Sequence, residues 1–366
     1  ESSASFSVGD DFRFGEGDWS LGYIAALRHS QGWDSREEQR NGFSVLGNGQ
    51  LIPLTEFERR KTERAIDAGL FFSTGLKIGE HHDIVGTAFQ VRQTLDETQI
   101  DEGLLGSGNI ERQFSLEWVE NELTTRQIGG EHSLVSLDSL VVDWQYTESR
   151  ATRYSPFTRE YNFSLDEDFN EFFYNGQNFI RFEDLVDDAE QARLNLKWPW
   201  RFNDTDSLTL LAGLDRVERE RRSSIERFAF RGGRINNATD IRDVLQPELI
   251  GPDRSQLRLQ RSTQATDAYT AAQTLDARYL TADLVWRDWR VNLGVREEDN
   301  QQEVVTQPLF GSVGVPPVVG RIEAKDRLPA GSITWAYSEN AQLRLGYSET
   351  VSRPDFREQS EAPFID

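Results

Sequence analysis

The stretch "LTADLVWRDWRVNLGVREED", residues 280 to 299, alternates apolar and polar side chains through two short runs and then passes into charge. A turn at Arg287-Asp288 sets Trp286 opposite Trp289, Leu284 opposite Val291, Ala282 opposite Leu293 and Leu280 opposite Val295, so every facing pair is apolar. Thr281, Asp283, Arg290, Asn292, Gly294 and Arg296 fall on the other face. Strand side chains alternate between faces, so this hairpin has one oily side and one wet side.

The same pattern recurs along the chain. Phe12 and Phe14 lead into a turn near Gly15, followed by Trp19, Leu21, Tyr23, Ala25 and Leu27. Leu194, Leu196, Trp198 and Trp200 precede a turn near Asn203, with Leu208, Leu210, Ala212 and Leu214 after it. Ile333, Trp335 and Tyr337 face Leu343, Leu345 and Tyr347 across Asn340, and Leu70, Phe72, Leu76 and Ile78 run into Gly79. A sixth hairpin, with its turn near Gly129 in "RQIGGEH", joins the Phe114, Leu116, Trp118 strand to the Val142, Trp144, Tyr146 strand. About twelve strands in six hairpins are expected, with long connections at roughly 36–56, 97–108, 153–188, 231–274 and 300–320. Short turns at one end and long segments at the other are the asymmetry of an up-and-down outer-membrane β-barrel. Trp19, Trp198, Trp200, Trp286, Trp289 and Trp335 all sit beside short turns. That is where a bilayer interface selects rings that are apolar in the body and polar at the tip.

The alternation stops in "VREEDNQQE", "RHSQGWDSREEQR" and "DRVERERRSSIER", where both faces become charged while the β pattern persists. A spanning strand needs about 9–11 residues. The remainder is expected to project beyond the membrane. The fold class is therefore all-β, a transmembrane antiparallel barrel segment occupying residues 1–366 as one domain.

The bulk composition agrees. The 366 residues carry a net charge of -22, which phosphate backbones would repel, so nucleic acid is excluded as a partner. Aromatic residues at 11% argue against disorder. There is no Cys, hence neither a disulfide framework nor a thiolate metal site. The absence of an initiator Met and of a signal peptide leads us to expect a segment of a longer protein.

Catalytic motifs are absent: no P-loop, nucleophile elbow or His-Glu-x-x-His appears, so no enzyme activity and no cofactor are assigned. His29, His81, His82 and His132 lack metal-ligand spacing, and His81-His82 reads as a solvated pair in a turn. The segment 164–185 reads as a long loop carrying Phe169, Phe172, Phe173, Tyr174 and Phe179. Its rings either close over a ligand or pack the loop onto its neighbours, and Asp166, Asp168 and Asn170 offer oxygen ligands of the kind Ca²⁺ takes. Arg216, Arg219, Arg221, Arg222, Arg227 and Arg231 form a basic rim suited to an anionic chelate or to lipopolysaccharide phosphates. Trp33 is a further candidate ligand contact.

The last hairpin runs into "LRLGYSETVSRPDFREQ", which resembles the TonB-dependent outer-membrane receptors. The motif elements are Tyr347-Ser348, Thr350, Arg353-Pro354 and Phe356-Arg357-Glu358, with Gln359 where Leu is more usual. "NLGVREED", residues 292 to 299, is similar to another strand of that family. Pro354 has no ladder N–H, which suits a strand leaving the wall. The resemblance implies a 22-stranded barrel whose plug and closing strands lie outside this segment. It also implies import of a scarce nutrient, a ferric siderophore or an oligosaccharide, driven by TonB, with outer-membrane lipid and lipopolysaccharide as surroundings. A passive porin-like channel and a soluble all-β carbohydrate-binding protein are the alternative readings.

Overall fold

The structure, a computed structural model, describes residues 1–15, 18–105, 108–232, 238–264, 267–306 and 317–360. Its strands are β1 (Ser2–Phe14), β2 (Trp19–Val45), β3 (Leu51–Ile78), β4 (His82–Leu105), β5 (Ile110–Leu134), β6 (Leu140–Asp166), β7 (Glu171–Arg201), β8 (Ser207–Gly232), β9 (Leu257–Arg261), β10 (Ala268–Trp286), β11 (Trp289–Thr306), β12 (Val318–Ser338) and β13 (Ala341–Ser348). They form one antiparallel sheet in sequence order, save that β10 follows β8 directly and β9 pairs with the far end of β8. Two four-residue helices, α1 (Ile241–Val244) and α2 (Phe356–Gln359), sit off the sheet.

The register of β10 on β11 is the expected one, with Trp286 opposite Trp289, Leu284 opposite Val291, Ala282 opposite Leu293 and Leu280 opposite Val295. Arg287 turns the chain with φ 52. Neighbouring ladders carry the same face onward: Leu284 meets Leu208, which meets Trp200, and Trp289 meets Trp335, which meets Leu343. Leu194 meets Trp144, Val142 meets His132, and Ile78 meets Trp19. One apolar face therefore runs across the sheet near the short turns. Its reverse carries Asp143, Asn195, Asp283 and Arg290, with Arg290 donating to Asp283 at 2.6 Å. The Trp289 and Trp335 rings stack at 5.3 Å and 5°, and Trp198 and Trp200 lie 4.7 Å apart at the same level.

Two expectations need correction. The β5–β6 turn is at residues 135–139, and Gly129-Gly130 lies inside β5, where Gly129 faces Gln145 and Gly130 faces Trp144. Gly130 is needed for clearance, because a Cβ there would come within 2.8 Å of the Trp144 Nε1. The second correction concerns the long connections at 36–56, 97–108 and 153–188, which are mostly strand, whereas most described residues of 231–274 lie outside strands. β2 and β3 stay paired to Val45 and Leu51, and β6 and β7 to Asp166 and Glu171, so the supposed loop 164–185 is a hairpin. β7 alone has 31 residues, roughly 100 Å at about 3.3 Å each, far beyond a membrane span. Parts of the other expected connections, at 106–107, 233–237, 265–266 and 307–316, lie outside the described residues.

The largest buried apolar cluster is at this distal end. Tyr161, Phe163 and Tyr174 pack there on Val244 of α1 and Leu257 of β9. Asn178 binds β7 to β8, donating to the Phe230 carbonyl at 2.9 Å and accepting from its N–H at 2.7 Å. On the polar face, the Tyr279 hydroxyl passes over Gly213 to donate to Asn195 Oδ1, and Asn195 donates to Asp143 at 2.7 Å. A side chain at 213 would run into the Tyr279 ring. Gly213→Leu is therefore expected to cost about 1–3 kcal/mol through overpacking, read as a lower thermal midpoint in detergent. Adding Tyr279→Ala should restore most of the loss, and a double variant as unstable as the single would contradict the clash.

Candidate functional site

The arginine-rich stretch 216–231 continues β8 as a strand, so alternation divides the expected rim between two faces. Arg216 and Arg222 follow Leu214 on the apolar face, whereas Arg219, Arg221 and Arg227 follow Gly213 and Asp215 on the polar one. Arg227 donates to the buried Asp267 at 2.7 Å. Arg219 donates to Asp187 through Nε and Nη2 at 2.8 and 2.6 Å, and Arg221 joins the same carboxylate through Nε at 2.6 Å. These two guanidinium groups are committed to the wall and are not a free rim.

The terminal motif lies against them. After Ser348 the chain leaves the ladder and folds back over the polar face of β8, β10, β11 and β12. Arg353 spans Glu298 and Asp326 at 2.7 and 2.5 Å, and the Pro354 carbonyl accepts from Gln302 at 3.0 Å. Asp355 accepts from Arg221 at 2.9 Å and caps α2, while Glu358 closes a capping box back to the Asp355 N–H. Phe356 is 1% exposed, packed on Tyr269, Ala271 and Val304. The Arg219 and Arg221 guanidinium carbons lie 4.9 and 5.2 Å from the Phe356 ring centroid. Burial of such a ring stabilises by about 1.5–3 kcal/mol, and each cation adds roughly 0.5–2 kcal/mol. Tyr347 and Ser348 end β13, Thr350 is exposed, and Arg357 sits in the first turn of α2.

Beside this strap lies a second charged node. Asp215 accepts from Gln191 at 2.8 Å and is flanked by Arg193 at 3.6 Å and Arg296 at 3.5 Å. Asp187, Asp215, Glu298, Asp326 and Gln302 are the partners that reading the sequence missed. Each sits in a strand whose spacing marks it only as polar.

Other candidates are placed differently. Tyr174 is 5% exposed, its hydroxyl accepting from Asn178 at 2.6 Å, and Phe172 lies under the Arg112 guanidinium at 4.0 Å. Phe173 meets the exposed Phe169 edge-on. Asp166 accepts from the N–H groups of Asp168 and Phe169, capping the turn, and Asn170 completes it with φ 53. Arg231 reaches the Gly176 carbonyl at 3.5 Å. Trp33 is 60% exposed on β2, with Arg64 over its ring at 5.5 Å. His82 is the first residue of β4, with its Nδ1 3.2 Å from that of His132, whose Nε2 accepts from Trp144 at 3.0 Å. Among the described residues no group of three or more His, Asp or Glu is arranged to hold a metal ion.

Burial pushes the Asp187 carboxyl up, but the hydrogen bonds from Arg219 and Arg221 outweigh it and hold the group below the usual carboxylate range. Asp355 is also lowered: burial opposes, and the Arg357 N–H and the Arg221 charge prevail. Both folded values lie below the unfolded one, so this stabilisation is complete above about pH 3.9 and lost as pH falls through the folded values. Limited proteolysis of 349–360 should show the strap protected at neutral pH and opening only in that acid window. Asp355→Asn, which takes the strap's own carboxylate away from Arg221 and Arg219, should raise cleavage at neutral pH and cost about 1.5–3 kcal/mol. Unchanged protection would contradict the clamp.

The family model described as TonB dependent receptor-like, beta-barrel, matches residues 136–364, more than half of the chain. No curated protein matches. Among solved structures, the siderophore receptor PiuA from Acinetobacter baumannii is similar at 11% identity and a TM-score of 0.44 over 94% of this chain and 48% of its own. The ferric-catecholate import receptor Fiu from Escherichia coli K12 gives 12% identity and a TM-score of 0.48 over 94% and 49%. The chain thus spans about half the length of these structures. With a two-faced meander in sequence order, and with the motif and its inner-wall partners inside the matched residues, this chain belongs to the TonB-dependent receptor β-barrel family, whose members are transport receptors and not enzymes.

Proposed function

We propose that this chain is part of the wall of an outer-membrane receptor that captures a scarce nutrient on its distal side and admits it through the lumen with energy from TonB. The observation that carries the reading is the sheet's division into one apolar and one polar face beside the short turns, with charged hairpins beyond. The apolar face meets lipid with Trp19, Trp198, Trp200, Trp286, Trp289 and Trp335 as its interface belt. β1 and β13 form the edges of the sheet, and an unpaired edge in lipid is costly. Further strands completing the barrel and a plug filling it, through which TonB acts, follow from the same reading.

Ferric siderophore and oligosaccharide are the two ligand classes carried forward. Anionic chelate oxygens suit guanidinium groups, and catechol or sugar faces suit exposed rings. Phe173 is the proposed contact, since Tyr174, Arg219 and Arg221 are occupied by their neighbours and Trp33 and Arg222 continue the apolar face. Uptake of labelled ferric siderophores and oligosaccharides by cells carrying the full receptor tests the reading. Uptake that vanishes with loss of TonB is expected, and uptake that persists without TonB would favour a passive channel. Leu293→Arg, on the apolar face, is expected to cost about 2–4 kcal/mol of membrane-folded stability, while Asn292→Arg, on the polar face, should cost less than about 1 kcal/mol. Equal costs would contradict the assignment of faces.

A further inference from the structure

We propose that α2 occupies a cradle for an aromatic anion, its Phe356 ring and the Asp355 carboxylate standing where that ligand binds and yielding to it; this rests on the receptor reading above. Phe356 is 1% exposed over an apolar floor of Tyr269, Ala271 and Val304. The Arg219 and Arg221 guanidinium carbons lie 4.9 and 5.2 Å from its centroid, so one ring meets two cations. The adjacent Asp355 carboxylate accepts from Arg221 Nη1 at 2.9 Å, with Arg219 Nη1 3.9 Å away. One pair of arginines therefore receives both a ring and an anionic oxygen. A catecholate or an aryl carboxylate carries the same two groups in one molecule.

The cradle outlasts its occupant. Asp187 takes Nε and Nη2 of Arg219 and Nε of Arg221, which leaves Nη1 of each for the strap. In the ladder Arg219 lies between Ala189 and Gln273, and Arg221 between Asp187 and Ala271, so lifting Asp355 away leaves two guanidinium groups against one carboxylate. The acids further along the polar face, Glu298 and Asp326, are held by Arg353, the anchor from which α2 swings. The hold on α2 itself is slight. It is a single turn of four residues, too short to persist unaided, and the Asp355 side chain is 45% exposed. Beneath the strap, Nδ2 of the fully buried Asn300 and Nε of Arg353 have no hydrogen-bond partner among the described residues, so docking leaves enclosed donors unsatisfied. A ligand that binds only the lifted form draws the strap open by mass action. An inorganic anion would leave the apolar floor bare, and a neutral sugar would leave the cationic excess unmet. An aromatic anion satisfies both.

The test is equilibrium dialysis of radiolabelled salicylate, an aryl carboxylate, against the full-length receptor in non-ionic detergent, with limited proteolysis of 349–360 run alongside. Wild type should bind the probe saturably, and bound probe should expose the strap to cleavage. Phe356→Ala should bind it at least about tenfold tighter, since the competing ring is gone. Arg221→Gln added to that variant should weaken binding at least about tenfold, the weight of one charge-assisted hydrogen bond. Inorganic phosphate and maltotriose at the same concentration should neither compete nor expose the strap. Where Phe356→Ala does not fold, as heat-modifiable mobility reports, Asp355→Asn should still bind the probe several-fold tighter than wild type. No saturable binding, equal binding by wild type and folded variants, or binding that leaves the strap protected would each overturn the cradle. Those failures leave TonB-dependent uptake intact, whereas uptake that persists without TonB would instead remove the receptor reading.

Discussion

Everything in this structure depends on the antiparallel ladder. Each strand satisfies its backbone groups through its neighbours in the sheet, and the ladder fixes which side chains share a face. A one-residue slip would move every leucine of the apolar face to the polar one. The Trp286–Trp289 closure and the facing Trp335 resist that slip at the end where the strands begin. On the proposed membrane reading, lipid on one side and polar contents on the other demand the alternation seen in the side chains.

Beyond the apolar band the ladder persists for a different reason. There the strands are held by cross-strand ion pairs and by a distal cluster of Tyr161, Phe163 and Tyr174 under α1 and β9. The same alternation puts Arg219 and Arg221 on the polar face and Arg216 and Arg222 on the apolar one. The polar-face pair, with Asp187, receives the terminal strap. The family motif is thus explained by contacts: Arg353 and Asp355 find opposite charges, and Phe356 is enclosed between the wall and two guanidinium planes.

The proximal part of the fold was legible because three signals coincided there: period-two alternation, short turns and tryptophans at matched positions. The β10–β11 register followed from them residue by residue. Gly129-Gly130 misled because a glycine pair signals a turn, whereas Gly130 is selected here by the crossing Trp144 ring. The distal strands were read as loops because polar residues on both faces erase the period. The strap's partners were out of reach for another reason. Arg221 and Asp355 are 134 positions apart, and nothing local in either segment names the other. His82 and His132, 50 positions apart, met for the same reason.

The most direct measurement is single-cysteine scanning of residues 289–301 in intact membranes, for which a chain without native Cys is well suited. The account predicts that 291, 293 and 295 react only with a membrane-permeant reagent, that 292 and 294 react with a small water-soluble one, and that alternation disappears beyond Glu297. Uniform reactivity along the whole stretch, or alternation with the opposite parity, would contradict the division of the sheet into a lipid face and a lumen face.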